Sequence, residues 1–129
     1  ILKLHNATIN NLPYVEIWGD GNAKREFMFS DDLAKFIEYA LKSFKKVPDL
    51  INVGVTKDYK IKEYYYKIAK IIGYKGQFVF DKSKPVGMKR KKVSTTKLNN
   101  IGWKNTLNLE DGLSITYRSF LKDINEKKL

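Results

Sequence analysis

The organisation of the chain is set by residues 15–41, V-E-I-W-G-D-G-N-A-K-R-E-F-M-F-S-D-D-L-A-K-F-I-E-Y-A-L. Its apolar start, residues 15–18, predicts a short strand, and the glycines and polar residues at 19–22 predict a turn. Two cations, Lys24 and Arg25, come directly after this turn. We therefore expect a strand that ends at a tryptophan, followed by a loop with adjacent positive charges. Such a loop can hold a flat, anionic molecule.

A helix is expected to follow this loop, with Ser30 as its N-cap. Its apolar face consists of residues at helical spacing, Leu33, Phe36, Ile37, Ala40, Leu41 and Phe44. Asp31 and Asp32 stand in the first turn, where the helix dipole stabilises acids. Two adjacent carboxylates can also be read as a metal-binding pair, and we expect the dipole role instead. With no cysteine and one histidine, the chain excludes thiolate and His-rich metal sites, and no metal is predicted.

Predicted strands and helices alternate along the rest of the chain. The expected elements are the end of a helix at 1–8, strands at 50–55 and 77–80, helices at 61–72 and 96–101, and a last helix from Asn108 with Asp111 at its third position. The strand at 50–55 is mostly apolar, as a buried parallel strand would be. We predict an α/β or α+β fold with three or so helices and short strands. Residues 1–129 are expected to form a single domain, with residues 126–129 frayed.

The chain is basic, with 25 Lys and Arg against 14 Asp and Glu and a formal net charge of +11. This excess favours anionic partners such as nucleic acid, phosphorylated small molecules or acidic lipid surfaces. A generally lysine-rich proteome would produce the same excess of positive charge. Net charge alone therefore does not distinguish between these partners or show that there is one. Residues 82–92 form a basic loop with six cations and no acid. No apolar run approaches 18 residues, so no membrane span is predicted, and the lack of cysteine suits the cytoplasm.

Motifs along nearly the whole chain resemble a known family. W-G-x-G-x-x-x-R-E-F at 18–27 and S-D-D-L-A at 30–34 resemble the C-terminal half of extended short-chain dehydrogenase/reductases that act on nucleotide sugars. The remaining motifs follow the order found in GDP-L-fucose synthases: I-N-V-G at 51–54, I-A-K-I-I-G-Y-K-G at 68–76, F-D-K-S-K-P at 80–85, R-K at 90–91, L-x-x-I-G-W at 98–103 and L-E-D-G-L at 109–113.

The resemblance implies that this chain is the substrate-binding part of an enzyme and that the catalytic residues belong to another part. In the family, an N-terminal Rossmann domain binds NADP through a Gly-rich loop and carries a Tyr-x-x-x-Lys catalytic pair. This sequence has no such glycine loop. Tyr66 and Lys70 match the pair by spacing but lie in a predicted amphipathic helix, and we interpret the match as a coincidence. We therefore expect no bound cofactor and no catalytic residue in this chain, and a homodimer for the whole enzyme.

The resemblance also implies which residues contact a GDP-sugar. Trp18 matches a tryptophan of the nucleotide pocket, Arg25 matches an arginine at the diphosphate, and Lys91, with Arg90, matches a basic position near the phosphates. Lys3 falls where the family has a basic residue at the substrate. Structural roles are the alternatives. Trp18 could lie in the core at the end of its strand, Arg25 could pair with Glu26 or Asp20, and the basic loop could simply be solvated.

The sequence departs from the family beside the expected substrate loop. Val86 stands where GDP-L-fucose synthases usually have an acid, and Lys92-Val93-Ser94 replaces Leu-Leu-Asp. The resemblance therefore does not decide the identity of the sugar. Other nucleotide-sugar epimerases or dehydratases are alternative classes of enzyme. Two further alternatives are a basic nucleic-acid-binding module and a non-catalytic interaction domain. No RRM, KH or helix-turn-helix signature is present, and we expect no nucleic acid partner.

Overall fold

Helices and short strands alternate through residues 1–126, which are the residues that this computed structural model describes. In chain order they are α1 (Leu2–Ile9), β1 (Tyr14–Trp18), β2 (Lys24–Arg25), α2 (Ser30–Lys42), β3 (Tyr59–Lys60), α3 (Ile61–Ile72), β4 (Gln77–Asp81), β5 (Arg90–Lys91), α4 (Thr96–Asn100) and α5 (Leu109–Asn125). A single 3₁₀ turn, Phe44–Lys46, follows α2. The predicted mixed class is confirmed. Five α-helices lie in the described part of the chain, two of them short.

The first sheet consists of β1 and β4, which run parallel. Val15 and Ile17 of β1 are buried, whereas Tyr14 and Trp18 are exposed, because successive side chains of a strand point to opposite faces. The strands predicted from residues 15–18 and 77–80 are thus confirmed. Their alternation leaves Trp18 on the exposed face, at the carboxyl end of β1.

The second sheet has β2 at its centre, with β3 antiparallel on one side and β5 parallel on the other. Each of these strands is two residues long. Lys24 pairs with Lys60 and Arg90, and Arg25 pairs with Tyr59 and Lys91. The sheet therefore brings together cations from three distant parts of the chain.

Two hydrophobic clusters form the core of the described residues. The first joins α1, β1, α3 and α5 through the buried side chains of Leu4, Ala7, Val15, Ile68 and Leu113. The second joins α2 and α4 through Phe36, Leu98 and Trp103. Within this second cluster the Phe36 and Trp103 rings meet edge to face, with their centroids 5.4 Å apart.

Two helix ends follow local sequence signals. Gly73 ends α3 in the left-handed conformation with φ of 82°, as predicted. At the start of α5, Asn108 Oδ1 accepts a hydrogen bond of 2.9 Å from the Asp111 backbone N–H, which confirms the predicted cap. Helix α5 ends at Asn125, and the expected fraying beyond Glu126 lies outside the described residues.

The predicted N-cap of α2 is wrong by one residue. The helix begins at Ser30 with Phe29 as its N-cap, and the Ser30 side chain forms no cap bond. Phe29 has an extended backbone, and its carbonyl accepts from the N–H groups of Asp32 and Leu33. The Phe29 side chain lies against Gly112 of α5, so tertiary packing fixes the first turn in place of a serine hydroxyl.

The strand predicted at 50–55 does not form among the described residues. This segment is not paired with any strand, and none of its backbone N–H groups bonds to another backbone group within residues 1–126. Ile51 and Val53 nevertheless pack against the Phe36 cluster. The apolar pattern correctly indicated burial, but pairing requires a neighbouring strand that is not present here.

None of the helices within residues 1–126 combines the length and the apolar character that crossing a membrane would require.

Candidate functional site

The second sheet places like charges directly opposite one another. Lys24 faces Arg90, and Arg25 faces Lys91, across the parallel pairing of β2 and β5. Facing cations repel, and like charges on opposite strands destabilise a sheet. Each of these two pairs therefore needs an anion nearby. Successive residues of a strand also point to opposite faces, so Arg90 and Lys91 serve different faces of the sheet.

One of the two cation pairs has an acid of the protein beside it. Asp58, directly before β3, accepts hydrogen bonds from Arg90 Nε at 2.5 Å and from Arg90 Nη2 at 3.3 Å. The Asp58 side chain is only 9% exposed. Hydrogen bonding to Arg90 holds the pKa of Asp58 below its usual range, with smaller contributions from the charges of Lys24 and Lys92. Arg90 is thus occupied by Asp58, and it is available to a ligand only in competition with that carboxylate.

The other cation pair has no acid of its own. Arg25 is partly buried, and its Nη1 donates to the Lys24 carbonyl at 2.7 Å. Within residues 1–126, neither Arg25 nor Lys91 forms an ion pair, so the alternative pairing of Arg25 with Glu26 or Asp20 is absent there. A held guanidinium beside an exposed ammonium is a suitable site for a phosphate group.

Trp18 offers an accessible aromatic surface at the end of β1. The residue is 63% exposed, so it is not the core tryptophan of the structural alternative. Its Nε1 donates to Glu16 Oε1 at 3.1 Å, which fixes one edge of the indole. Lys84 Nζ lies 5.9 Å from the ring centroid, within cation–π range. An indole held in this way can stack on a base or a ribose.

The loop between β1 and β2 is held on two sides. A Cβ at Gly21 would lie 2.6 Å from Phe80 Cε1, and Gly21 has a φ of 69°, so both space and backbone require glycine. A Cβ at Gly19 would meet Val86 Cγ2 at 2.8 Å. The loop that joins the strand of Trp18 to the strand of Arg25 therefore packs against β4 and the basic loop.

Lys3 of α1 lies beside β1. Its ammonium group donates to the carbonyl of Glu16, two residues before Trp18. The structure thus ties Lys3 to the strand that carries Trp18, whereas Arg25, Arg90 and Lys91 share the second sheet.

Sequence reasoning placed Asp32 in the first turn of α2 but missed its contact with a distant segment. It is 1% exposed and accepts from the Thr106 N–H at 2.9 Å, from Thr106 Oγ1 at 2.6 Å and from the Leu107 N–H at 3.2 Å. Burial raises the pKa of Asp32, but these hydrogen bonds outweigh it and the pKa lies below its ordinary value. No group of three or more His, Cys, Asp or Glu side chains within residues 1–126 could hold a metal. Asp32 instead fastens the start of α2 to the segment before α5.

Glu26 is a second residue whose structural contact was not predicted from the neighbouring sequence. Its Oε1 lies where a side chain at position 54 would collide, since a Cβ at Gly54 would be 2.8 Å away. Its Oε2 is buried without a hydrogen-bond partner among the described residues. The carboxylate therefore lies directly against Gly54, a contact between residues far apart in the sequence.

Tyr66 and Lys70 lie within α3, as the amphipathic pattern predicted. The Tyr66 ring packs edge-on against Phe78 at 5.0 Å between centroids. The interpretation of this pair as a coincidence of spacing stays a prediction.

Comparison with models of protein families first indicates a class of protein for part of the chain. Residues 1–54 match the model of the NAD dependent epimerase/dehydratase family. The matched range contains Lys3, Trp18 and Arg25. The class agrees with the one deduced from the motifs at 18–34.

The curated relatives then narrow the class. The chain is 54% identical over 125 residues to the GDP-L-colitose synthase of Yersinia pseudotuberculosis, covering 97% of this chain and 41% of that protein. It is 41% identical over 129 residues to the GDP-L-fucose synthase of Escherichia coli, covering 94% of this chain and 40% of that protein. These similarities confirm the resemblance to GDP-L-fucose synthases. The chain spans about two fifths of the length of the curated relatives it matches.

Solved structures agree in fold. A GDP-6-OMe-4-keto-L-xylo-heptose reductase from Campylobacter jejuni is 31% identical with a TM-score of 0.78, over 92% of this chain and 38% of that one. A GDP-mannoheptose C4 reductase from the same organism, with NADP bound, is 32% identical with a TM-score of 0.74, over 91% of this chain and 40% of that one. A GDP-L-fucose synthetase from Naegleria fowleri, at 23% identity and a TM-score of 0.84, shows the same fold.

Proposed function

We propose that this chain is the substrate-binding domain of an NADP-dependent epimerase/reductase that acts on GDP-4-keto-6-deoxy sugars. The observation that carries the proposal is the Arg25–Lys91 pair, which has no acid among the described residues. A nucleotide diphosphate would supply the missing negative charge. Trp18 would then cover the base or the ribose, with Lys84 beside the indole.

The roles of the other predicted residues follow from their positions. Lys3 would steady the strand of Trp18 through Glu16, and Arg90 would hold β5 through Asp58. Neither arginine nor lysine readily releases a proton at neutral pH, so these groups suit binding and not acid–base chemistry. Hydride transfer would belong to a Rossmann domain elsewhere in the full protein.

The cofactor and the assembly are proposed for the whole enzyme. NADP would bind to the part that this chain does not span, and the isolated chain would neither bind it nor turn over. A related GDP-mannoheptose C4 reductase structure contains NADP. The whole enzyme would be a cytoplasmic homodimer. The relatives named as GDP-L-colitose and GDP-L-fucose synthases do not decide which sugar of this class the enzyme uses.

Calorimetric titration of GDP and UDP into the chain tests the proposal. We expect GDP to bind, and Trp18→Ala or Arg25→Ala to weaken binding at least tenfold. Matched controls are Tyr14→Ala, an exposed aromatic of the same strand, and Arg118→Ala on α5, both of which should leave affinity unchanged. GDP binding that is indifferent to Trp18 and Arg25 would contradict the proposed site. Tighter binding of random oligonucleotides than of GDP would favour the nucleic-acid alternative.

A further inference from the structure

The sheet of β2, β3 and β5 carries a row of three cations on one face. Lys24 of β2 pairs with Lys60 of β3 on one side and with Arg90 of β5 on the other. Residues that pair directly across neighbouring strands project to the same face, where like charges destabilise the sheet. Within residues 1–126, Asp58 is the one carboxylate that forms an ion pair with this row, and it is bound to Arg90 at the end of the row. Positive charge is therefore left in excess at Lys24 and Lys60.

The two lysines of this row line a cleft, together with the first two turns of α3. The cleft has a volume of about 500 Å³, which lies within the range of about 300 to 1,000 Å³ typical of small-molecule sites. Its wall also includes Lys57, whose Nζ lies 5.0 Å from the centroid of the Tyr59 ring. Lys24, Lys57 and Lys60 form no ion pair with any of the described residues. Three ammonium groups without acids thus border one cleft.

The acids of the cleft wall are bound to other groups. Asp58 pairs with Arg90, as described above. Glu63 Oε2 accepts a hydrogen bond of 2.7 Å from the N-cap backbone N–H of α3, so this carboxylate caps the helix. The fourth lysine of the wall, Lys67, is bound to Glu110 of α5. Among residues 1–126 the protein therefore supplies no counter-anion for the other three lysines.

We infer that Lys24, Lys57 and Lys60 form a second anion site, which binds a phosphorylated small molecule. Lysine ammonium groups bind phosphate as point charges, and a ligand with two or more negative charges relieves the repulsion between the facing lysines. Tyr66, 54% exposed in the wall of the same cleft, offers an aromatic surface to an organic part of the ligand. The site is distinct from the proposed diphosphate site, because Arg25 follows Lys24 directly and adjacent residues of a strand project to opposite faces.

Calorimetric titration of pyrophosphate into the Arg25→Ala chain, at constant ionic strength, tests the second site with the first one disabled. We expect one bound anion, and Lys24→Gln with Lys60→Gln to weaken its binding about tenfold or more. Lys45→Gln with Lys46→Gln is the matched control, since it removes the same charge from two exposed lysines outside the sheet. Equal losses in both double variants would overturn the inference, as would the absence of binding to the Arg25→Ala chain.

Amide spectra of the unsubstituted chain test the location without a change at Arg25. Pyrophosphate should shift the amide resonances of residues 57–60 in a saturable way and leave those of residues 45–46 unchanged. Lys24→Gln should abolish these shifts. It should also raise the melting temperature of the ligand-free chain by about 1 to 4 °C at low ionic strength, because it removes the central charge of the row. Unshifted resonances at 57–60, or a lower melting temperature of Lys24→Gln, would contradict the second site.

The inference does not depend on the proposed binding of a GDP-sugar. Pyrophosphate that fails to bind the Arg25→Ala chain overturns the second site alone, because GDP binding is measured on the chain with Arg25 intact. GDP that fails to bind the unsubstituted chain overturns the first site alone, because the Arg25→Ala chain can still bind pyrophosphate.

Discussion

Replacing Asp32 tests whether a buried carboxylate, and not the helix dipole, secures the start of α2. Asp32 receives three hydrogen bonds from Thr106 and Leu107, so Asp32→Ala leaves three donors without their acceptor. At roughly 1 to 1.5 kcal/mol for each, the substitution should lower the free energy of unfolding by about 3 to 4 kcal/mol. Asp32→Asn keeps the shape and one acceptor oxygen, and should cost about 2 kcal/mol.

Asp31 supplies the matched control, because it stands one position earlier in the same turn and is exposed. A dipole contribution alone is worth about 0.3 to 1 kcal/mol, so Asp31→Asn should stay within that range. Urea unfolding followed by circular dichroism at pH 7 measures all three variants. If Asp31→Asn and Asp32→Asn agreed within about 0.5 kcal/mol, a separate structural role for Asp32 would be refuted.

The pH dependence gives a second readout of the same contact. The pKa of Asp32 is lowered in the folded chain, so its contribution is fully present above the unfolded pKa of about 4 and is lost as the pH falls through the lower folded value. The stability difference between the unsubstituted chain and Asp32→Asn should therefore shrink below about pH 4. A constant difference from pH 7 to pH 2 would contradict the assignment.

Three further predictions concern the site and the core. Asp58→Asn should weaken GDP binding several-fold in calorimetry, because β5, which carries Lys91, would lose the acid that holds it in the sheet; unchanged or tighter binding would contradict this. Gly21→Ala should destabilise the chain more than Gly87→Ala in thermal melts, since both have positive φ but only Gly21 has atoms within 4 Å of the added Cβ; equal losses would show that backbone strain alone matters. Leu98→Ala, at a buried position, should cost about 2 to 5 kcal/mol in urea unfolding, whereas Leu41→Ala at an exposed one should cost little; similar losses would refute the assigned second core.

Local signals predicted the elements whose causes are local. The pairing of Asn108 with Asp111 and the left-handed Gly73 each depend on residues within a few positions, and both were readable from the sequence. The alternation of β1 likewise depends only on its own residues. These features account for the end of α3, the start of α5 and the alternation of side chains along β1.

Features that depend on distant partners could not be read in this way. Thr106 is 74 residues from Asp32, so nothing near Asp32 distinguishes it from Asp31. The two-residue strands β2, β3 and β5 are too short to produce a periodic pattern. Their charge pairing, which separates Arg90 from Lys91, became visible only in the register of the sheet. The motifs had named both residues without separating their roles.

The facing cations of β2 and β5 make the site respond to ionic strength in two opposite ways. Added electrolyte shortens the Debye length and weakens the repulsion between Arg25 and Lys91. The pairing of β2 with β5 should therefore be more stable when no ligand is bound. The same screening weakens the attraction of this pair for a diphosphate. Moderate salt should therefore stabilise the unoccupied chain against unfolding while reducing its affinity for GDP. A melting temperature and a dissociation constant measured across one salt series would rise together.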